Sequence, residues 1–272
     1  MRKFVFLAMI LALVLSFGGP AAAQDADLAK SSTLVSIIKA KKMVVGLEAG
    51  YMPFEMRNKK GEIIGFDVDL ATHMTKSMGV GLELVNTAWD GIIGALVTKK
   101  FDIIMSGMTI TQQRNLQINF CDPYIVIGQA ALVHIKHKGV VKSYKDLNDP
   151  KYTISVKLGT TGDFATQKHL PKAKRVAFED EQVAVQEVVQ GRADAHVYDL
   201  PQCANYNARY PGKFVFLDEP FTYEPLGWAI RKGDPDFMNF LNNYLRQIKG
   251  DGTYDEIYAK WFKSKEWLDE LQ

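Results

Sequence analysis

The chain has 272 residues, 47% of them apolar, with 33 basic and 31 acidic side chains. That length supports one large domain or two smaller ones with a sizeable core. The near balance of charge argues against nucleic acid or a polyanionic surface as the main partner, and two cysteines are too few for a disulfide framework.

Residues 1–23 read as a cleaved leader. Arg2 and Lys3 form a positive start, Phe4 to Phe17 an apolar run, and Ala21-Ala22-Ala23 a small-residue cleavage site. The run is short of the roughly 20 residues a membrane span needs. Without Arg2 and Lys3 the mature chain carries 31 basic and 31 acidic residues, a formal charge of zero. An oxidising compartment would permit one bridge between Cys121 and Cys203, but their wide separation leaves that pairing open.

From Met43 onward, short β-rich runs alternate with amphipathic helices, a pattern that implies an α/β protein with largely parallel sheets. Met43 to Leu47 reads as a strand. Phe66, Leu70, Met74 and Met78 recur every fourth residue and Gly79 follows, which predicts a helix over 67–78. Leu82 to Val85 is a second strand, Asp90 to Lys99 a helix, and Phe101 to Met105 a third strand. Ile125 to Ile135 reads as a long extended connector. A second set of similar units follows: strands at 152–156, 175–178 and 194–198, with helices after Gly159-Thr-Thr-Gly-Asp163 and over 182–190. Leu226 to Arg231 reads as one strand, followed by helices over 235–249 and 253–262. If that last strand returns to the first set, two extended crossovers join two lobes, which is the build of a hinge. The expected division is 24–127 with 224–272 for lobe 1 and 128–223 for lobe 2.

The stretch Ile104-Met-Ser-Gly-Met-Thr109-Ile-Thr-Gln-Gln-Arg114 carries the strongest chemical signal. It runs from a strand through small polar residues into a helix start, where free N–H groups and hydroxyls converge. Arg114 can grip both oxygens of a carboxylate there. A surface arginine is the alternative, but a cation is disfavoured in a helix's first turn. Thr109 and the backbone of Ser106 and Gly107 supply polar contacts to a ligand, and Gly107 permits close approach, although such residues also simply end strands. Thr160 begins an S/T-x-x-D helix cap that also presents N–H donors. Asp199 follows a buried strand, where it either caps a helix or accepts from an ammonium group.

With these motifs in order, the chain resembles the type 3 extracellular solute-binding proteins, the periplasmic receptors of polar amino-acid ABC transporters. The resemblance rests on Gly50-Tyr-Met-Pro-Phe-Glu55, Gly65-Phe-Asp-Val-Asp-Leu-Ala71, Trp89, Met105 to Arg114, Phe120-Cys-Asp-Pro-Tyr124, Gly159-Thr-Thr161, Gly191-Arg-Ala-Asp194 and Asp251-Gly-Thr-Tyr254. It implies a two-lobed periplasmic-binding-protein fold with two hinge crossovers, and a ligand carboxylate held by Arg114 and by the Thr160-Thr161 turn. Asp199 would take the α-ammonium group. Tyr51 and Trp89, otherwise ordinary core aromatics, would flank the ligand's side chain. Glu48 stands where relatives that bind basic or amide side chains are often acidic, and an aliphatic ligand would leave it facing nothing, at a desolvation cost. The expected partners are an amino acid and a membrane permease, with the protein a periplasmic monomer that uses no cofactor, no metal and no nucleic acid.

Two further readings compete. Some proteins of this fold are cyclohexadienyl dehydratases acting on prephenate or arogenate; such chemistry needs a general acid, and Glu48 and Asp199 are the evident cleft acids. A signalling receptor needs a downstream membrane span, and the sequence to Gln272 offers none. The five histidines form no metal-ligand pattern, and phosphate-loop, GxSxG and HExxH motifs are missing from the sequence.

Overall fold

The structure is a computed structural model and describes residues 32–271; the expected leader at 1–23 lies outside them. Helix α1 (Thr33–Ala40) leads into β1 (Lys42–Leu47), and a small hairpin, β2 (Met56–Arg57) and β3 (Ile63–Ile64), precedes α2 (Phe66–Met78). The fourfold apolar spacing read from 66 to 78 places Phe66, Leu70 and Met74 in the core, and left-handed Gly79 ends the helix. Next come β4 (Gly81–Asn86), α3 (Trp89–Val97), β5 (Ile103–Ile104), the single turn α4 (Gln112–Asn115) and β6 (Asn119–Phe120).

The first sheet has the order β4-β1-β5-β14-β6, with β14 (Ala229–Ile230) arriving from far along the chain. β1 runs parallel to both β4 and β5, whereas β14 runs antiparallel to β5 and β6. The second sheet has the order β10-β9-β11-β8-β12 and is built wholly from residues 129–217. Its members are β8 (Gln129–His134), β9 (Thr153–Lys157), β10 (Lys174–Phe178), β11 (Ala195–Asp199) and β12 (Phe214–Leu217), with α5 (Thr161–His169), α6 (Glu181–Val189) and α7 (Leu200–Arg209) between them. Two short strands, β7 (Ile125–Ile127) and β13 (Glu224–Leu226), pair antiparallel with each other between the sheets. These are the two crossovers of a two-lobed α/β fold. Helices α8 (Pro235–Gly250) and α9 (Thr253–Tyr258) then pack back on the first lobe, and the chain continues through a π turn to Lys263.

Two expected elements differ. The apolar run 125–135 is a connector only at β7; from Gln129 it becomes the buried β8, antiparallel to β11 and β12. A continuous apolar run fits a strand covered on both faces as well as a connector, and only the pairing separates them. The expected strand 226–231 is broken: Leu226 ends β13 and Ala229 begins β14, with Gly227 and Trp228 turning the chain between hinge and sheet. Trp228 is fully buried and stacks on Tyr124 at 5.4 Å, fixing that turn to the lobe 1 core.

Candidate functional site

In both lobes, parallel strands point their C-terminal ends at the cleft, the edge where open α/β sheets bind ligands. β1 delivers Glu48 and then the Tyr51 turn; β5 delivers the 105–111 loop and Arg114; α3 opens at Trp89. From the other lobe, β9 and its following turn deliver Lys157, Thr160 and Thr161, and β11 delivers Asp199. All ten residues singled out from the sequence line one cavity of ≈ 320 Å³, with Glu55 and Tyr198 beside them.

Arg114 is only 7% exposed. Thr111 caps α4 by accepting from the Arg114 backbone N–H at 3.1 Å, so the helix start is real but only one turn long. Its guanidinium donates to the Thr109 carbonyl at 2.9 Å and lies 5.2 Å from the centre of the Trp89 ring. No other protein acceptor takes its remaining N–H groups among the described residues. Burial lowers its pKa to about 10 against the opposing pull of Asp199, so it stays cationic at neutral pH.

Asp199 is 6% exposed and its side chain caps no backbone N–H, although it stands at the start of α7. Its carboxyl instead accepts from the Tyr51 hydroxyl across the cleft and from the Gln129 amide beneath it. Burial raises its pKa to about 7, with those two hydrogen bonds acting in the opposite sense. Gln129 was not singled out from the sequence. The available signal was a polar residue opening an otherwise apolar strand, and its partner lies 70 residues away.

The loop carrying Ser106 and Gly107 rests on two buried acids. Ser106 Oγ lies 2.5 Å from Glu55 Oε1 and accepts from the Glu48 N–H at 3.1 Å. The Gly107 N–H, expected to face a ligand, donates to Asp67 at 2.8 Å, and Tyr124 donates to the same oxygen. Gly107 therefore contributes space rather than a donor. Its φ is +52°, and an added Cβ would fall 2.1 Å from the Tyr51 ring. Burial, and then mutual repulsion with Asp67, push the Glu55 carboxyl well above its ordinary range. Glu55 was missed as a third cleft acid because its neighbours read as a plain apolar turn.

The second-lobe turn behaves as its cap signature suggests. Thr160 accepts from the Asp163 N–H at 3.3 Å and donates to the Lys157 carbonyl at 2.8 Å, so its hydroxyl is spent on the cap. Thr161 is the side chain that looks outward, 3.3 Å from Thr109 Oγ1 of the other lobe. Other contacts cross the cleft as well: Trp89 Nε1 donates to the Gly159 carbonyl at 3.3 Å, Gln202 to the Gly50 carbonyl at 3.2 Å, and Lys157 forms an ion pair with Glu48. The other Glu48 oxygen accepts from the Trp89 N–H at 3.3 Å. Glu48 thus has partners for both oxygens within the protein, and the desolvation argument for a cationic ligand does not hold.

Elsewhere, Cys121 and Cys203 are both buried free thiols. His134 ends β8, while His137 lies in the turn beyond it and meets Asp194 at 2.7 Å. No helix among the described residues is long and apolar enough to cross a membrane.

A hinged pair of lobes with a buried cation and a buried acid facing each other across the cleft defines a small-molecule receptor. Residues 43–264 match the bacterial extracellular solute-binding proteins, family 3, and the chain belongs to that family. Among its relatives, the probable histidine-binding protein of Neisseria gonorrhoeae is 39% identical over 225 residues, 80% of this chain and 82% of that protein. A binding component of an ABC transporter from Wolinella succinogenes, solved in complex with lysine, superposes with a TM-score of 0.82 at 54% identity, covering 84% of this chain and 99% of that one. The ancestral amino-acid-binding protein AncCDT-1, a precursor of cyclohexadienyl dehydratase, reaches 0.81 at 51% identity, with 85% and 100% covered. The ABC transporter glutamine-binding protein GlnH of Bacillus subtilis is 32% identical to the chain over 276 residues, 97% of this chain and 98% of that protein.

Proposed function

We propose that the protein captures a polar L-amino acid with a basic or amide side chain in the periplasm and delivers it, as a monomer, to the permease of an ABC importer. The observation that carries this reading is the buried Arg114 guanidinium, which faces the cavity with most of its donors unused, opposite Asp199 on the other lobe. A ligand carboxylate takes the former through paired N–H···O bonds, and an α-ammonium group takes the latter. Thr161 adds a hydroxyl from the second lobe, while Tyr51 and Trp89 wall the side-chain pocket. Because the two charges sit on different lobes, a zwitterion contacts both only when the lobes are closed, which is how binding drives closure about β7 and β13. On this reading lobe 1 is 24–127 with 224–272 and lobe 2 is 128–223. The lysine in the Wolinella structure and the histidine named for the Neisseria relative support the basic end of the range.

A thermal-shift screen of the twenty amino acids, followed by calorimetry on the hits, tests the proposal. Stabilisation by lysine, arginine, histidine or glutamine is the expected result, and no stabilisation by any of the twenty would overturn it. Glu55 gives a dehydratase reading a foothold, since burial favours the protonated form of that cavity-lining carboxyl. Release of product from prephenate by the purified protein would favour that second reading.

A further inference from the structure

Glu48 lines the closed cavity and also an open groove between the lobes, whereas Lys157 lines only the groove. Their ion pair therefore sits where the two spaces adjoin. It is also well shielded: the Lys157 side chain is 7% exposed and that of Glu48 21%. The partners come from different lobes, Glu48 from the end of β1 and Lys157 from the end of β9. Glu48 is anchored on its own lobe through the Trp89 N–H at the start of α3. It is thus Lys157 that must withdraw when the lobes part.

We propose that Lys157 is a specificity-determining residue, an internal competitor that holds the Glu48 carboxylate and must be displaced by the cationic end of a basic amino acid. This rests on the amino-acid reading above and sharpens it to the discrimination between basic and neutral polar ligands. A ligand anchored between Arg114 and Asp199, with its side chain lying between Tyr51 and Trp89, directs a long side chain toward Glu48. A cationic end arriving there meets a carboxylate already neutralised and a like charge beside it, so part of its attraction is cancelled. A neutral amide end leaves the pair intact. Lys157 thereby narrows the preference for arginine and lysine over glutamine, and it ties the lobes together through the protein's own charges.

Lys157→Met keeps the length and apolar stem of the side chain and removes its charge. Calorimetry of the wild-type protein and this variant with arginine, lysine and glutamine reads the selectivity. The ratio of glutamine to arginine dissociation constants is expected to rise about tenfold in the variant, and Lys157→Arg is expected to restore the wild-type ratio. Small-angle scattering of both proteins, dialysed free of amino acids, reads the tie between the lobes: the variant is expected to have the larger radius of gyration. Glu48→Gln removes the same pair from the other side and should give the same expansion. An unchanged or lower ratio would overturn the selectivity role, and equal radii in all three proteins would overturn the tie. If the wild-type protein bound none of the twenty amino acids, the amino-acid reading would fall while the scattering comparison still decided the tie.

Discussion

Tyr51 of lobe 1 donates its hydroxyl to Asp199 of lobe 2, so the acid we propose for a ligand's ammonium group is already engaged across the cleft. The same ring sits over Gly107, where an added Cβ would collide with it. One aromatic side chain thereby couples the close backbone approach at Gly107 to the electrostatics of the opposite lobe.

Removing either charged end should disable the receptor. Arg114→Ala and Asp199→Ala are each expected to weaken amino-acid binding at least about tenfold, the scale of losing a charge-assisted hydrogen bond. Arg114→Lys should also lose affinity, because an ammonium group cannot make the paired contact. Circular dichroism should show all three folded, and an unchanged calorimetric affinity in any of them would remove that residue from the site.

Affinity should depend on pH through Asp199. In the folded protein its pKa is raised from 3.8 to about 7, so the fold favours the protonated carboxyl. That contribution to stability is fully present below about pH 4 and is lost as the pH rises through 7. An ammonium ligand requires the ionised form, so lysine affinity should rise between about pH 5 and 7 and level off above. Titrations at pH 5.5, 6.5 and 7.5 in buffers of different ionisation enthalpy should show proton release on binding at the lower values. A flat profile with no buffer dependence would contradict this assignment.

Gly107→Ala tests the coupling through Tyr51. The new methyl group must push the ring aside, and the backbone there is left-handed, so destabilisation of roughly 1–3 kcal/mol is expected. Amino-acid affinity should fall with it. A variant with wild-type melting temperature and affinity would show that Tyr51 moves freely.

The two thiols should be inert in the native protein. Burial pushes Cys121 up to about 12 and Cys203 well above its ordinary range, and both are shielded from solvent. Mass spectrometry after iodoacetamide treatment at pH 8 should find no labelling of the native protein and two labelled sites in guanidinium. Rapid native labelling at either position would mean that its packing opens.

The site was legible where local pattern and chemistry coincide. Arg114 follows a capping threonine, Asp199 ends an apolar strand, and Thr160 starts a cap signature; each carries its meaning within a few residues of chain. Lys157, Gln129 and Glu55 were not legible. Each is a polar residue at the margin of an apolar segment, and its role comes from a partner 109, 70 or 51 residues distant. The fold divides along the same line. Helix α2 follows from its own periodicity, but whether residues 125–135 form a connector or a central strand depends on β11 and β12, which come much later in the chain.

The interleaving of the sheets has a consequence for the order of assembly. Every strand of the second sheet lies within 129–217, so that lobe needs no chain from outside this stretch to complete its sheet. The first sheet waits for Ala229, which pairs with both Ile104 and Phe120. A chain emerging from its N-terminus thus carries Arg114 into solution well before the strand that steadies its loop has arrived. The second sheet is thus a self-contained insert in a frame that closes later in the chain. Residues 224–230 complete that frame only near the end of the sequence. The second crossover, β13, is therefore also the lead-in to the strand that completes the first sheet, so the link between the lobes and the closure of the frame are one segment.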